Sequence, residues 1–177
     1  MARKHESHLE PRKSECVSAI LLLQNGKFLV EKRHTEDVDP GYAIPGGHVE
    51  KDENLSAALQ REIMEELRLV IEDPFYLWTG DHVASDGELQ RIHYFVVRNW
   101  KGEPIVQEAE SISWIDDSNI LTYKVDRKAI EKLREILGLN TFRKLNVIYS
   151  VIVLGVVAER PPCTELMCCV TSGFTIS

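Results

Sequence analysis

The chain has 177 residues, of which 44% are hydrophobic and 28% charged, and its formal net charge is -7 at pH 7. This composition is typical of one globular domain with a substantial core, and it excludes a fibrous or disordered chain. The acidic balance disfavours nucleic acid as a partner, because nucleic-acid binding depends on clustered cations. It is compatible with a phosphate-bearing small molecule if a bound cation reverses the local charge. The four cysteines lack the paired spacing of a zinc site.

The N-terminal arm and the C-terminal tail differ from the middle of the sequence. Residues 1–15 are polar and contain no apolar signal core, so we expect a flexible arm, no secretory signal and a cytoplasmic protein. The tail, residues 141–177, contains an almost unbroken apolar run at 147–158. This run is shorter than the ~20 residues of a membrane span, so no membrane partner is expected. We expect a buried strand or a self-association surface there, and the second would make the protein a homodimer.

The first structural signal is a turn at Asn25-Gly26. It lies between apolar segments at 17–23 and 28–30. Both turn residues tolerate positive φ, so the pattern predicts two antiparallel strands that form a hairpin.

The remaining elements follow from apolar periodicity and turn residues. They are a loop at 34–47, a helix at Leu55–Leu67, a second hairpin of segments 75–84 and Leu89–Val97 joined across Asp86-Gly87, a strand at Ser111–Ile115 and a helix at 126–137. The order β-β-α-β-β-β-α predicts an α+β domain over residues 16–140, with a mixed sheet flanked by helices.

Asn54 or Asp52 would cap the Leu55–Leu67 helix. The glutamates of this helix do not all lie on its solvent-facing side. At roughly 100° per residue, Glu62 and Glu66 fall inside the apolar arc of this helix. Two carboxylates one turn apart repel each other, and burying them unpaired costs several kcal/mol or forces protonation.

A shared divalent cation would remove this cost. Mg²⁺ and Mn²⁺ both prefer oxygen ligands, so either ion suits a pair of carboxylates. A buried network with Arg61 is the alternative explanation. The tripeptide Pro45-Gly46-Gly47 favours the ion, because glycine lets the backbone approach a metal or a phosphate closely. Gly46 is therefore a candidate substrate contact, although this tripeptide alone is more often only a turn.

These residues together resemble the Nudix box, the signature of a hydrolase family. The matching positions are Gly47, then after five residues Glu53, then after seven residues Arg61-Glu62-Ile63, then after one residue Glu65-Glu66, and finally Leu69. The surrounding pattern, from about residue 17 to residue 137, is also similar to that of a MutT-like Nudix domain. The resemblance implies an α/β/α sandwich with a mixed sheet between helices, and a hydrolase that cleaves phosphoanhydride bonds.

The resemblance also implies roles for individual residues. Glu62, Glu65, Glu66 and the Gly47 carbonyl would bind the divalent ion, and the glutamates would take part in catalysis. A downstream glutamate completes the metal site or acts as the base in MutT-like members, and this nominates Glu108.

Other roles are less specific. Arg61 would orient a box glutamate by ion pairing, and Glu53 would support the preceding loop. Arg33 is a candidate phosphate contact, and Asp126 lies near a base-recognising position of the subgroup. Glu108 is equally well explained as an ordinary loop carboxylate and Arg33 as a surface arginine, and an N-cap is the simpler explanation of Asp126.

Position 68 departs from the family pattern. The family has glycine there, where the helix ends in a left-handed conformation. Arginine should cost about 1 kcal/mol in that conformation, or it should change the path by which the chain leaves the helix. Arg68 removes no ligand, so the chemistry is expected to persist.

The substrate class follows partly by elimination. The sequence lacks the SQPWPFPxS-like element of NADH diphosphatases, the proline of ADP-ribose pyrophosphatases (Ala84 lies there) and the tyrosine of dinucleoside-polyphosphate hydrolases near residues 85–87. A (d)NTP pyrophosphohydrolase that releases a monophosphate and pyrophosphate remains. An ADP-ribose or nucleotide-sugar pyrophosphatase is the alternative enzyme, and a catalytically idle nucleotide sensor is the alternative from another class.

Overall fold

A computed structural model of the chain describes residues 12–138, which form nine strands and two α-helices. In chain order these are β1 (Lys13–Leu21), β2 (Phe28–Arg33), β3 (Gly41–Ala43), β4 (Gly46–His48), α1 (Leu55–Leu67), β5 (Val70–Glu72), β6 (Phe75–Val83), β7 (Leu89–Val97), β8 (Asn99–Lys101), β9 (Ser111–Ile115) and α2 (Lys124–Ile136). The tail at 141–177 and most of the expected arm lie outside the described residues. Neither α-helix in the described range has the length and the apolar composition of a membrane-spanning segment.

The strands form one four-stranded mixed sheet and two smaller sheets. The four-stranded sheet has the order β4-β1-β7-β6, in which β1 and β7 are parallel and the other neighbours are antiparallel. β2 lies between β3 and β9 in a second sheet, and β5 pairs with β8. β1 begins at Lys13, so residues 13–15, which the sequence places in the arm, pair with β7.

The first predicted hairpin is only partly present. Gly26 has a φ of +82°, and the Leu23 N–H donates to the Lys27 carbonyl at 2.9 Å, so the turn forms as expected. A single antiparallel bridge joins Leu22 to Phe28. Beyond that bridge β1 and β2 enter different sheets, so the predicted antiparallel hairpin is limited to its turn and one bridge. β4 and β7 occupy the two edges of β1 instead.

A helix covers each face of the four-stranded sheet. Side chains alternate along β1, so that Ile20 packs in one core with Leu133 of α2, and Ala19 packs in the other with Leu59 of α1. The predicted α+β fold, with a mixed sheet between helices, is confirmed. Because α1 is packed through its apolar face, glutamates that flank this face are directed toward the sheet.

α1 begins and ends at the predicted residues. The Asn54 Oδ1 accepts a hydrogen bond from the Ala57 N–H at 2.9 Å, so Asn54 rather than Asp52 is the N-cap. At the other end Arg68 adopts the left-handed conformation with a φ of 58°, and its N–H donates to the Met64 carbonyl at 3.1 Å. The chain therefore leaves the helix through the conformation that glycine favours, and arginine carries the associated strain.

Candidate active site

Arg61 forms hydrogen bonds with the carboxylates of Glu53, Glu62 and Glu65. Its Nε and Nη2 donate to the two oxygens of Glu53 at 3.1 and 2.9 Å. Its Nη1 donates to Glu62 at 2.8 Å and to Glu65 at 3.1 Å, and Nη2 also donates to the His48 carbonyl at 2.9 Å. This planar fork thus fixes two helix glutamates relative to the loop that precedes α1.

Gly46 and Gly47 bring the backbone of β4 close to β1 and α1. A Cβ at Gly46 would lie 2.0 Å from the Val17 carbonyl oxygen, and a Cβ at Gly47 would lie 2.4 Å from Glu62 Oε2. Gly46 also has a φ of +150°, which other residues rarely adopt. The absence of side chains here places the Glu62 carboxylate directly against the Gly47 backbone.

One carboxylate oxygen of Glu66 lies in the interior of the domain. Its Oε2 is buried and has no hydrogen-bond partner among the described residues. Burial raises the pKa of Glu66 well above its usual range, the charges of Glu31 and Glu62 raise it further, and a hydrogen bond from the Gly46 backbone acts in the opposite direction. A buried, unpaired carboxylate oxygen costs stability unless a proton or a cation compensates it.

The loop after β8 brings Glu108 toward the same cluster. The Ile105 N–H donates to the Leu67 carbonyl at 3.0 Å, and the Gln107 N–H donates to the Glu66 carbonyl at 3.1 Å. These bonds satisfy carbonyls at the end of α1 and fix the loop beside it. Glu108 is exposed, and its charge helps to raise the pKa of Glu66.

The carboxylate side chains of the candidate site are not arranged around a single ion-binding position. Within residues 12–138, no three acidic, histidine or cysteine side chains lie close enough together to hold an ion. Glu62 and Glu65 both bind Arg61, and their side chains are 14% and 51% exposed. Arg61 thus holds one oxygen of Glu62 and one oxygen of Glu65.

The donor set nevertheless fits a divalent cation. The orphaned Glu66 Oε2 offers a buried oxygen, and Glu62 lies against the Gly47 backbone. Sets made only of oxygen ligands are preferred by Mg²⁺ and Mn²⁺. The residues that would hold such an ion are Glu62, Glu65, Glu66, Glu108 and Gly47 through its carbonyl.

A cleft beside the carboxylates contains all three predicted substrate-binding residues. Gly46, Arg33 and Asp126 line it. Asp126 is 4% exposed, and its carboxylate accepts hydrogen bonds from the Tyr94 hydroxyl at 2.6 Å and from the Ile44 N–H at 3.2 Å. Burial raises the pKa of Asp126 to about 6. A negatively polarised acceptor is therefore fixed in the wall of the cleft.

The N-cap interpretation of Asp126 is wrong. α2 begins at Lys124, and Tyr123 occupies the cap position without a side-chain hydrogen bond. Asp126 lies inside the first turn and uses its carboxylate on Tyr94 of β7 and on the backbone before β4. Tyr94 was not predicted as a site residue, because a contact between distant strands and helices leaves no spacing signal in the sequence.

Arg33 and the loop that follows β2 form the mouth of the cleft. The Arg33 Nε lies 3.7 Å from Asp37 Oδ2, and the Arg33 side chain is 41% exposed. The loop is attached to the rest of the domain through Asp39, whose Oδ2 lies 3.4 Å from the His82 Nε2 and whose carbonyl accepts a hydrogen bond from the Tyr123 hydroxyl. The guanidinium of Arg33 is thus accessible to an anionic group that enters the cleft.

Glu31 lies in the candidate site, and the sequence analysis did not identify it. It lies on β2, is 6% exposed and lines the same cleft. Burial raises the pKa of Glu31 to about 7, and the charge of Arg33 partly opposes this rise. An acidic residue directly after the apolar segment Phe28-Leu29-Val30 was the only signal available, and one residue without a spaced partner does not indicate a site.

Comparison with known proteins shows to which family the chain belongs. The NUDIX domain model matches residues 13–133. The chain belongs to the Nudix family. Nudix hydrolases generally use a divalent metal, which agrees with the donor set described above.

Relatives and solved structures of Nudix proteins resemble this chain over most of its described length. The CTP pyrophosphohydrolase of Escherichia coli (strain K12) is 27% identical over 133 residues, 72% of this chain and 94% of the relative. The 8-oxo-dGTP diphosphatase of Buchnera aphidicola subsp. Acyrthosiphon pisum is 27% identical over 94 residues, 53% of this chain and 73% of the relative. A MutT NUDIX hydrolase from Burkholderia pseudomallei superposes with a TM-score of 0.62 at 27% identity, covering 68% of this chain and 98% of its own.

These findings confirm the resemblance on which the sequence analysis depends. The protein is a MutT-like Nudix hydrolase, an enzyme that acts on acid anhydrides.

Proposed function

We propose that the protein is a Mg²⁺-dependent (d)NTP pyrophosphohydrolase, which releases a nucleoside monophosphate and pyrophosphate. The observation that carries this proposal is the buried, unpartnered Oε2 of Glu66 beside Glu62 and the Gly47 backbone. An arrangement of this kind is stable only with a compensating cation or proton. The names of the two relatives, a CTP pyrophosphohydrolase and an 8-oxo-dGTP diphosphatase, support a triphosphate as the substrate.

The carboxylates have two tasks in this reaction, to hold the ion and to remove a proton from water. When bound, Mg²⁺ would neutralise charge on the phosphate oxygens and lower the pKa of a water molecule. Arg61 orients Glu62 and Glu65 through hydrogen bonds from its Nη1. One glutamate of the cluster, with Glu108 included, accepts the proton of the attacking water.

The cleft orients the two ends of the substrate. Arg33 is exposed at the mouth, where its guanidinium can donate to phosphate oxygens in a bidentate manner. Asp126 lies in the wall of the cleft, where its carboxylate can accept a hydrogen bond from an amino or imino group of the base. The Tyr94 hydroxyl fixes the orientation of that carboxylate.

A substrate panel with product analysis tests the proposal. The protein is incubated with Mg²⁺ and each of the common NTPs and dNTPs, 8-oxo-dGTP, ADP-ribose, a UDP-sugar and a dinucleoside polyphosphate, and the products are separated by anion-exchange chromatography. We expect a monophosphate and pyrophosphate in equal amounts from at least one triphosphate. Release of orthophosphate alone, or turnover confined to ADP-ribose or nucleotide sugars, would contradict the proposed substrate. Nucleotide binding without any turnover would indicate a sensor instead.

A further inference from the structure

Glu31 occupies a position in the sheet that normally requires an apolar side chain. It lies on β2, the central strand of its sheet, where its Cα pairs with Ala43 of β3 and Ile112 of β9. Side chains two residues apart share a face of a strand, so Glu31 faces the same side as Leu29. Leu29 packs in the core beside Leu59 and other residues of α1. The carboxylate of Glu31 is therefore directed to the side of the strand that α1 covers.

No neighbour neutralises this carboxylate. Glu31 is 6% exposed, and no group within residues 12–138 donates a hydrogen bond to its side chain or lies within ion-pair distance of it. Arg33 is the nearby cation that favours its ionised form, but Arg33 is itself placed against Asp37 at 3.7 Å. An unpaired buried carboxylate destabilises the folded state, and a buried aliphatic residue at this position would not.

The negative charges of Glu31 and Glu66 repel each other. Burial is the main cause of the raised pKa of Glu66, and the charges of Glu31 and Glu62 raise it further. Glu66 is also the residue whose Oε2 is buried without a partner in the described part of the chain. Two carboxylates without an ion-pair partner thus lie near each other, one on β2 and one on α1. Glu31 lines the cleft together with Gly46, and Glu66 Oε2 is buried.

We propose that Glu31 is a further metal-binding residue of this active site, and that its carboxylate holds the divalent ion together with Glu66 and the other helix glutamates. The inference rests on the proposed function, since it concerns the same ion. It adds a carboxylate from outside the Nudix box, contributed by the strand that faces α1. A shared ion compensates Glu31 and Glu66 at once, whereas Arg33 is placed against Asp37 at 3.7 Å.

The test compares Mn²⁺ binding among matched variants. Glu31→Gln and Glu66→Gln remove one charge each without changing side-chain size, and Glu131→Gln does the same on the exposed face of α2. Mn²⁺ affinity is measured by electron paramagnetic resonance and by the rise in melting temperature that Mn²⁺ produces. We expect Glu31→Gln to weaken Mn²⁺ binding on the order of 10-fold or more and to reduce the Mn²⁺-dependent rise. Glu131→Gln should bind Mn²⁺ as the wild type does.

Removal of a repelled charge should also stabilise the protein without metal. We expect the melting temperature of Glu31→Gln in EDTA to equal or exceed that of the wild type, a result that a purely structural role of the carboxylate would not give. Glu31→Met, an apolar replacement of similar length, provides a second variant if the glutamine variant folds poorly, and it should show the same loss of Mn²⁺ affinity.

Two negative results have different meanings. Wild-type Mn²⁺ affinity in both Glu31 variants, combined with a loss in Glu66→Gln, would overturn the role of Glu31 and leave the proposed function intact. Failure of the wild-type protein itself to bind Mn²⁺ or Mg²⁺ would overturn the proposed function and this inference with it.

Discussion

Arg61 and Glu53 form a bidentate pair, in which the Arg61 Nε and Nη2 lie 3.1 and 2.9 Å from the two oxygens of the carboxylate. The same guanidinium reaches Glu62 and Glu65 on α1. One arginine thus connects the loop before the helix with two of the residues expected to hold the ion. The hydrogen bonds from Arg61 also lower the pKa of Glu53, so this carboxylate remains ionised at neutral pH.

Replacement of Arg61 tests this positioning role. Lysine in the Arg61→Lys variant keeps the positive charge but lacks the planar fork, so it cannot hold Glu53 and both helix glutamates at once. We expect kcat to fall about 10- to 100-fold, the range found when residues that orient metal ligands are replaced. Arg91→Lys is the matched control, because Arg91 forms a single exposed ion pair with Asp81 at 3.1 Å. Equal turnover of the two variants would contradict the role of Arg61.

Glycine at position 68 should stabilise the protein. Arg68 has a φ of 58°, a conformation that costs a non-glycine residue about 1 kcal/mol. We expect Arg68→Gly to raise the free energy of unfolding by about this amount, measured by urea denaturation. Arg68→Ala removes the same side chain but retains Cβ, so it should give no such gain. A stability of Arg68→Gly at or below that of Arg68→Ala would show that the strain is absent.

The parts of the fold that depend on neighbours in sequence could be predicted. α1 follows from its apolar face and from Asn54, whose cap hydrogen bond spans only three residues. The Gly26 turn likewise depends on local backbone conformation. The partners of β1 could not be predicted in the same way. β4 lies about thirty residues away and β7 more than seventy, so no local pattern indicates that they replace β2 beside β1.

The same distinction between local and distant contacts applies to the residues of the candidate site. The spaced glutamates of α1 could be recognised because a helix fixes their relative positions from their spacing alone. Glu31, Tyr94 and the hydrogen bonds of Asp126 could not be predicted, because each depends on contacts between elements that are distant in sequence. Asp126 illustrates this limit, since its position near a helix start suggested a cap while its partners lie on β7 and before β4.

The stability of the metal-free protein should fall as pH rises from about 5 to about 8. Burial raises the pKa of Glu31 to about 7 and of Asp126 to about 6, and it also raises the pKa of Glu66. The folded state therefore retains protons that the unfolded state has released. For each of these carboxyl groups, the free energy of unfolding falls across this pH range by at most about 1.4 kcal/mol for each pKa unit by which the folded and unfolded states differ. Glu88, with its pKa lowered to about 2, titrates below the window.

Urea denaturation in EDTA at several pH values measures this effect. Glu31→Gln removes one of the responsible groups, so its stability should decline less steeply between pH 5 and pH 8. Saturating Mg²⁺ should also reduce the decline, because the ion favours the ionised carboxylates. Stability of the wild type that increases across this range in EDTA would contradict the raised pKa values of these buried groups.

Removal of the Tyr94 hydroxyl should weaken both the fold and substrate binding. In Tyr94→Phe the Asp126 carboxylate loses its hydrogen bond of 2.6 Å inside the protein, at a cost of about 1–3 kcal/mol. We expect a lower free energy of unfolding and a higher KM, because the acceptor in the cleft is less well oriented. Tyr76→Phe is the control, since Tyr76 is 46% exposed. Unchanged KM and stability in Tyr94→Phe would exclude this role.

The most direct test of the central claim is the Mg²⁺ dependence of triphosphate hydrolysis in the wild type and in Glu66→Gln, with Glu131→Gln as the control. We predict that the wild type and the control turn over only with Mg²⁺, and that Glu66→Gln stays folded while its kcat falls by roughly 10²–10⁴-fold even at saturating Mg²⁺. Turnover of Glu66→Gln at the wild-type rate, or wild-type turnover that persists in EDTA, would contradict the account.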